Sequence, residues 1–141
     1  MKIKELMVKN IVTVLPNASV HEAVKHMNKN RIGCLLVVDR GKIMGILTER
    51  DILERVVEKG KNPKETETSD IMTKHVIFGN PNMELPDATR LMFEKKVKKL
   101  PLVDGGQLIG LITLTDIARV TSVDKETMGL IEKLSNMHLI K

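Results

Sequence analysis

Two threonine–aspartate pairs are the residues of this chain whose types and spacing best suit a chemical role. Thr48 precedes Asp51 by three residues, and Thr113 precedes Asp116 by the same interval. In each copy an apolar run that contains a Gly leads into the Thr, which is typical of a strand that runs into the first turn of a helix. Backbone N–H groups and the positive end of the helix dipole meet at such a junction. It can therefore hold a phosphate or a carboxylate.

The same spacing has a purely structural interpretation. A hydroxyl at the N-cap and a carboxylate at the third helical position form a capping box, in which each side chain accepts a hydrogen bond from the backbone of the other residue. Capping explains each pair, taken alone, at least as simply as anion binding does. The spacing alone is compatible with both capping and anion binding.

The remaining residue types offer little catalytic or metal-binding chemistry. The four His are scattered, with no Cys or carboxylate cluster at metal-ligand spacing and no Ser–His–Asp or Cys–His arrangement. The single Cys34 lies in an apolar run, where we expect a buried thiol. With two Phe and neither Tyr nor Trp, the chain has little material for stacking nucleic-acid bases. We expect neither an enzyme nor a metal site.

The most basic stretch runs from Lys95 to Lys99, in a chain of net charge +5. Such a run is commonly a solvated helix end. Alternatively Lys98 or Lys99, just before the next apolar strand, directs an ammonium group at a phosphate held by the neighbouring helix start. Their counterparts 65 residues earlier are the uncharged Gly33 and Cys34, so the two sites should differ in charge.

The elements that position these residues occur twice, at a constant offset of 65 residues. The offset gives 14 identities in the 50 pairs that begin at positions 7 to 56, without insertion or deletion, which indicates an internal duplication. Periodicity and turn residues predict the first copy as a strand, helix, strand, strand and helix. These elements are expected at Ile11–Val14, from the Ser19 cap to about Asn30, at Leu35–Val38, at Ile43–Leu47, and from Thr48 to roughly Lys59.

The pattern predicts a mixed α/β fold made of two such units. The first unit spans 1–60, a linker spans 61–69, the second unit spans 70–122, and a C-terminal helix spans 123–141. A unit this small leaves too much surface in water to be stable alone, so we expect the two units to pack face to face through their sheets around a pseudo-two-fold axis.

The C-terminal segment suggests a packing or dimer contact, and the apolar pattern of the chain indicates where the protein is located. Met128, Ile131, Leu134 and His138 recur at roughly helical spacing, so the tail helix either packs on its own chain or makes a dimer contact. No apolar run approaches the length of a membrane span, and the first residues lack the apolar stretch of a signal peptide. We expect a cytoplasmic protein.

The duplicated unit, the two Gly-x-x-Thr-x-x-Asp junctions, the Asp-Ile-Met-Thr segment at 70–73 and the run Leu100–Asp104 resemble the cystathionine β-synthase (CBS) domain pair, or Bateman module. The resemblance covers about residues 5 to 121. Leu36 departs from it, because the family commonly has Pro there, as Pro101 does in the second copy. The resemblance implies a regulatory module without catalysis that binds AMP, ADP or ATP in clefts between the repeats.

The resemblance also implies a role for each residue of the two clefts. These roles are consistent with simple chemistry, because a carboxylate suits a ribose diol and helix N-terminal amides suit phosphate. Asp51 and Asp116 would accept hydrogen bonds from the ribose hydroxyls. The phosphate would face Thr48, Arg50, Thr113 and Thr115, together with Lys98 and Lys99. The adenine would lie against Ala23, Ile32, Gly33 and Cys34 in one pocket and Ala88, Val97, Lys98 and Lys99 in the other, with backbone around Val12 and Ile77 reading its edge.

Three functions are therefore weighed. The first is an adenine-nucleotide sensor that forms a homodimer and acts on an effector protein in trans, without a catalytic cofactor. The second is an interaction or scaffold protein with empty clefts, in which the Thr and Asp residues only cap helices. The third is nucleic-acid binding through the lysines, which the scarcity of aromatic residues disfavours.

Overall fold

The computed structural model describes residues 1–120 and 123–137 of the 141-residue chain. Helices and strands form two compact units. Residues 12–76 form the first, called here the Asp51 unit, and residues 1–11 with 77–120 and 123–137 form the second, the Asp116 unit. The predicted mixed α/β class is confirmed, with one sheet in each unit.

The Asp51 unit contains a three-stranded sheet and three helices. The strands, in sheet order, are β1 (Thr13–Val14), β2 (Cys34–Asp39) and β3 (Lys42–Thr48). Strand β1 is parallel to β2, and β2 is antiparallel to β3. The helices are α1 (Val20–Asn30), α2 (Glu49–Ile52), which continues into a π-helical turn (Leu53–Val57), and α3 (Thr68–Ile71).

The Asp116 unit repeats this plan with a reduced sheet and one added helix. Its antiparallel strands are β4 (Lys99–Asp104) and β5 (Gln107–Thr113), and Gly79 forms a single parallel bridge to Leu102 where β1 pairs in the other unit. The helices are a 3₁₀ turn (Ile3–Glu5), α4 (Leu85–Lys95), α5 (Leu114–Ala118) and α6 (Lys125–Ser135).

Local sequence signals explain where α1 begins and ends. The Ser19 hydroxyl accepts a hydrogen bond from the Glu22 N–H at 3.1 Å, as its N-cap position predicts. The helix ends at Arg31, which adopts the left-handed conformation with φ of 53°. Between these ends Val20, Ala23 and Met27 lie at helical spacing and are buried against the sheet cluster, which supplies most of the helix's stability.

Both hairpins turn through two residues with positive φ. Arg40 and Gly41 have φ of 53° and 80°, and Gly105 and Gly106 have 58° and 79°. Positive φ at both central positions is the requirement of a type I′ turn, whose twist matches that of the flanking strands. Each hairpin also carries a register irregularity at the equivalent position, so the duplication extends to the details of the sheet.

Gly45 and Gly110 are glycines because a methionine packs directly on each. A Cβ on Gly45 would lie 2.6 Å from the Met72 sulfur, and a Cβ on Gly110 would lie 2.6 Å from the Met7 sulfur. Met7 belongs to residues 1–11, which lie in the Asp116 unit, and Met72 lies in the Asp51 unit. The compact units therefore differ from the repeats of the sequence at their first residues, and the predicted limits of 1–60 and 70–122 stay a prediction.

Three local predictions differ from the structure or meet it only in part. The first strand covers Thr13–Val14 rather than four residues, and the helix expected from Thr48 to about Lys59 changes to π geometry at Leu53. The thiol of Cys34 is half-buried rather than buried. The tail forms α6, which packs on α4 and α5, so packing on its own chain is the observed alternative. His138 lies outside the described residues.

None of the helices in residues 1–120 and 123–137 combines the length and the apolar character that crossing a membrane requires.

Candidate functional site

Both threonine–aspartate pairs form the predicted capping box. The Thr48 hydroxyl accepts from the Asp51 N–H at 3.1 Å, and the Thr48 N–H donates to Asp51 Oδ2 at 3.0 Å. The corresponding distances for Thr113 and Asp116 are 3.2 Å and 3.1 Å. Capping is therefore part of the role of both pairs, and what distinguishes the two sites is what else each carboxylate contacts.

The Asp51 carboxylate is closed in by its own unit. The Thr73 hydroxyl donates to Oδ1 at 3.1 Å, and Arg55 Nη1 lies 3.4 Å from the same oxygen. Arg55 is held there because Nη1 also donates to the Ile71 carbonyl at 2.7 Å. The residue is only 5% exposed. Both carboxylate oxygens thus have partners within the chain.

The Asp116 carboxylate is more accessible. It is half-buried, and the hydrogen bonds that the described residues make to it, from the Thr113 N–H at 3.1 Å and the Thr113 hydroxyl at 2.8 Å, end on Oδ2. The positions equivalent to Arg55 and Thr73 are Val120 and Val8, whose side chains cannot donate. Among the described residues, none donates a hydrogen bond to Oδ1 of Asp116.

A hollow of about 410 Å³ lies in the Asp116 unit, and Thr113, the hydrogen-bond partner of Asp116, lines it although Asp116 itself does not. Ligand pockets typically begin at about 300 Å³, so the hollow is large enough for a small molecule. Its lining combines two lysines with three hydroxyl-bearing residues, and Thr113, which bonds Asp116, is one of the three. The lining residues are Lys98, Lys99, Thr113, Leu114, Thr115 and Ser135.

Backbone pairing brings Lys98 and Lys99 close to the hydroxyl-bearing residues of the hollow. Lys99 pairs with Thr113 across the sheet, and the Leu114 N–H donates to the Lys98 carbonyl at 2.8 Å. Lys98 Nζ donates to the Met137 carbonyl just beyond α6, at 3.0 Å. The part of the hollow that carries the two lysines is therefore formed by the start of β4, the start of α5 and the residues just after α6.

The Asp51 unit has a different hollow, of about 310 Å³, between α1 and the α2 turn. Its lining is apolar apart from Asn28 and Glu49, and it includes neither Thr48 nor Asp51. The Glu49 carboxylate lies against Gly33, with Oε1 3.2 Å from where a Cβ would stand. An anion at this place would meet a carboxylate rather than a lysine. The lining residues are Val24, Met27, Asn28, Ile32, Glu49, Ile52 and Leu53.

The predicted phosphate and adenine residues of the Asp51 unit lie together only in part. Cys34 is the partner of Thr48 across the sheet, and the Glu49 N–H donates to the Gly33 carbonyl at 3.1 Å. Arg50 is exposed, and its Nε lies 3.9 Å from the Glu54 carboxylate. The structure thus places Gly33 and Cys34 beside the junction and directs Arg50 along its own helix.

The other predicted adenine-binding residues have little exposed surface. Ala23 and Ala88 are 0% exposed in the two cores, so a ligand could reach them only after neighbouring side chains moved. Val12 and Ile77 are half-buried at equivalent positions and pack on the two cores. Ile32 and Val97 are half-buried just after α1 and α4, and their N–H groups bond the last turn of those helices. Their roles stay predictions.

Sequence reasoning missed three residues that shape these sites. Arg55 lies four residues after Asp51 on one helical face, a spacing at which a carboxylate and a guanidinium meet, and this signal was available. Thr73 reaches Asp51 only through the fold, and Ser135 reaches the hollow only because α6 packs where it does. Neither of these two had a signal in the sequence.

Two hydrogen bonds with charged groups stabilise α6, which closes one side of the Asp116 hollow: one caps its N-terminus and the other joins it to α4. Hydrogen bonding from Thr127 N–H, at 2.6 Å, lowers the pKa of the N-cap carboxyl of Asp124. The side-chain hydrogen bond to Glu126, at 3.0 Å, raises the pKa of Arg90 on α4. Among the residues described, no group of His, Cys, Asp and Glu side chains is arranged to hold a metal ion.

Comparison with known proteins agrees with this architecture. A family model described as "CBS domain" matches residues 3–58 and 69–122. The CBS domain-containing protein YhcV of Bacillus subtilis is 36% identical over 127 residues, which cover 90% of this chain and 89% of YhcV. The inosine-5'-monophosphate dehydrogenase of Methanocaldococcus jannaschii is 38% identical over 120 residues, but these cover 84% of this chain and only 23% of that enzyme.

A solved structure resembles the chain over most of its length. It is described as a putative signal-transduction protein with CBS domains from Burkholderia ambifaria MC40-6. The two chains align with a TM-score of 0.69 and 39% identity, over 83% of this chain and 86% of the other.

Proposed function

The chain belongs to the CBS-domain family, and from this premise we propose that it is a non-catalytic sensor that binds an adenosine-containing ligand, AMP, ADP or ATP, in the hollow of the Asp116 unit. One observation carries the proposal. The Asp116 carboxylate, whose partner Thr113 lines a hollow together with Lys98 and Lys99, keeps an oxygen that no described residue bonds.

The chemistry of the hollow matches the parts of a nucleotide. Oδ1 of Asp116 accepts a hydrogen bond from a ribose hydroxyl, while Oδ2 remains committed to the Thr113 cap. The ammonium groups of Lys98 and Lys99 and the hydroxyl of Thr115 face the phosphate, because they line the same hollow. Lys98 exchanges its Met137 carbonyl partner for a phosphate oxygen, which is the stronger acceptor.

The Asp51 junction is a weaker candidate for a second site. A ligand there would have to displace the Thr73 hydroxyl and Arg55 from a carboxylate that they already satisfy. This network also favours the alternative function, an interaction protein whose threonine–aspartate pairs only cap helices. The alternative therefore applies first to the Asp51 unit.

Calorimetric titration with AMP, ADP and ATP tests the proposal. Asp116→Asn keeps one side-chain oxygen for the cap and removes the second acceptor, so we expect affinity to fall about tenfold or more, because hydrogen bonds to charged groups contribute about 1.5–3 kcal/mol. Asp104→Asn makes the same charge change at the exposed hairpin turn of the same unit and should leave affinity within about twofold.

Two results would refute nucleotide binding at this place. One is the absence of heat or thermal stabilisation with all three nucleotides at millimolar concentration. The other is an Asp116→Asn variant that binds as well as the Asp104→Asn control. In either case the scaffold function would remain.

The proposal extends to a cytoplasmic homodimer that acts on an effector protein in trans. Large apolar side chains are exposed on both units, among them Met44 at 43% and Phe78 at 56%, and such side chains suit a contact with a second copy. Sedimentation velocity across a concentration series measures this. A single species of monomer mass at all concentrations would refute the dimer.

A further inference from the structure

One side chain connects the hollow of the Asp116 unit to the end of α6. Lys98 lines this hollow of about 410 Å³, and its Nζ donates to the Met137 carbonyl at 3.0 Å. Ser135, the last residue of α6, lines the same hollow. The side chain of Met137 packs on the core of the unit. A ligand in the hollow would therefore meet both the C-terminal end of α6 and the ammonium group that holds it.

The other unit has neither part of this connection. Gly33 stands at the position equivalent to Lys98, and it has no side chain that could donate a hydrogen bond. Residues 12–76, all of which the structure describes, contain no helix equivalent to α6. The cation and the helix end that it holds therefore occur together, and they are additions to the repeated plan.

We propose that nucleotide binding in this hollow takes Lys98 from the Met137 carbonyl and thereby loosens the C-terminal end of α6. The helix end is held in the absence of nucleotide and is released in its presence, so its order reports whether the hollow is occupied. This inference rests on the proposed nucleotide site and adds to it a structural consequence of binding.

A phosphate and the end of α6 compete for the same ammonium group. The last carbonyls of a helix carry the negative end of its dipole, about half an elementary charge. A phosphate carries at least one full negative charge and forms the stronger, charge-assisted hydrogen bond. Because Ser135 also lines the hollow, a phosphate there lies near the last carbonyls of α6 and repels them. Both effects weaken the bond between Lys98 and Met137.

The release is confined to the end of α6, because the body of the helix is anchored by its apolar side chains. Ile131 and Leu134 are 4% and 0% exposed in the core cluster, and the loss of one hydrogen bond does not outweigh their burial. The N–H groups that follow belong to Asn136 and Met137, and they donate to the Glu132 and Leu134 carbonyls at 3.1 Å and 3.2 Å. We expect these two amides to respond to the ligand.

Hydrogen exchange of the ¹⁵N-labelled full chain, with and without millimolar AMP, ADP or ATP, tests the proposal. With a nucleotide that binds by calorimetry, exchange at Asn136 and Met137 should become about fivefold faster, the lower end of typical coupling between sites, because one hydrogen bond changes partner. The Met128 N–H, which donates to the Asp124 carbonyl in the first turn of α6, is the internal reference and should exchange at an unchanged rate.

A lysine variant tests the connection without nucleotide. Lys98→Met removes the ammonium group and keeps most of the aliphatic side chain. Exchange at Asn136 and Met137 should then be about fivefold faster in the free protein, and nucleotide should not accelerate it further. Lys95→Met removes a charge from the same basic stretch at the exposed end of α4, and it should behave like the unaltered chain.

The reverse effect distinguishes release of α6 from support by α6. Coupling between two sites is reciprocal, so a variant that loosens α6 should bind nucleotide about twofold more tightly or better. Ile131→Ala is such a variant, because it removes a buried anchor of the helix. Ile71→Ala makes the same change in the core of the Asp51 unit and should leave affinity unchanged.

The results separate failure of the release from failure of the nucleotide site. If no nucleotide binds by calorimetry, both are refuted. If a nucleotide binds while exchange at Asn136 and Met137 stays unchanged or slows, the site stands and the release is overturned. The release is also overturned if Lys98→Met leaves this exchange unchanged, or if Ile131→Ala weakens binding and Ile71→Ala does not.

Discussion

The Asp51 and Asp116 junctions share their motif and their capping geometry, yet they differ in whether the carboxylate is available. Arg55 and Thr73 satisfy Asp51, whereas Val120 and Val8 stand at the equivalent places around Asp116. The residues that decide this lie outside the repeated motif. A motif therefore shows where a site can form, and its neighbours decide whether that site is open to a ligand.

The largest expected effects are on stability, and one of them falls on the closed junction. Asp51→Ala removes the helix cap and the buried acceptor of the Thr73 hydroxyl, while the exposed Arg55 keeps the Ile71 carbonyl, so we expect a loss of about 2 kcal/mol in the free energy of unfolding. Asp116→Ala removes a half-buried cap and should cost about 1 kcal/mol. Denaturant unfolding measures both values, and equal losses would contradict the difference between the junctions.

The two glycines under methionines should also respond unequally. A Cβ on Gly45 would lie 2.8 Å from the Thr73 carbonyl as well as 2.6 Å from the Met72 sulfur, and backbone cannot move aside easily. The nearest atoms at Gly110 all belong to the flexible side chain of Met7. We expect Gly45→Ala to cost about 2–3 kcal/mol and Gly110→Ala about 1 kcal/mol.

Thermal unfolding with Gly129→Ala, which has open space around its Cβ position, provides the baseline for both glycine variants. A Gly110→Ala variant that loses as much stability as Gly45→Ala would show that the methionine is as rigid as backbone.

Giving Asp116 the neighbours that Asp51 has tests whether those neighbours decide nucleotide affinity. Val8→Thr combined with Val120→Arg gives Asp116 the partners that Asp51 has, so we expect nucleotide affinity to fall about tenfold, or about 1.4 kcal/mol. Calorimetry on this double variant and on each single variant measures the effect. Unchanged affinity would mean that the accessible oxygen of Asp116 does not bind the ligand.

The smallest expected effect is on the pH dependence of the stability of α6, the helix that has no counterpart in the Asp51 unit. Because the Thr127 N–H lowers the pKa of Asp124, the cap contributes stability that is complete above the ordinary carboxyl pKa and is lost as pH falls through the lowered value. We expect α6 to loosen as the pH falls below about 4. Hydrogen exchange of α6 amides measures this.

Asp124→Asn is the control for the pH prediction, since it keeps an acceptor that does not titrate in this range. If the α6 amides of this variant loosen at the same pH as those of the unaltered chain, Asp124 is not the responsible group.

Much of the fold follows from local sequence signals. Ser19 and Glu22 mark the start of α1, and positive-φ residues such as Gly41 and Gly106 mark the hairpins, because caps and turns depend on few neighbouring residues. The mixed α/β class was predictable because the offset of 65 residues repeats whole elements.

The state of the two sites was less predictable. Thr73 bonds Asp51 from 22 residues away in the chain, and Ser135 enters the hollow through the packing of α6, so both contacts depend on tertiary structure. The π-helical turn that follows α2 is likewise a departure from the regular pattern that periodicity assumes. Periodicity identified α1, β2 and β3, but it does not specify which distant side chain satisfies a given carboxylate.

Two-dimensional NMR of the ¹⁵N-labelled chain during an AMP titration tests most directly whether the Asp116 unit is the open site. We expect the first amide shifts at Lys98, Lys99, Thr113 and Thr115, with the Thr48 and Asp51 signals unmoved at the same AMP concentration. First shifts at Thr48 and Asp51, or no shifts at saturating AMP, would show that the Asp116 unit is not the open site.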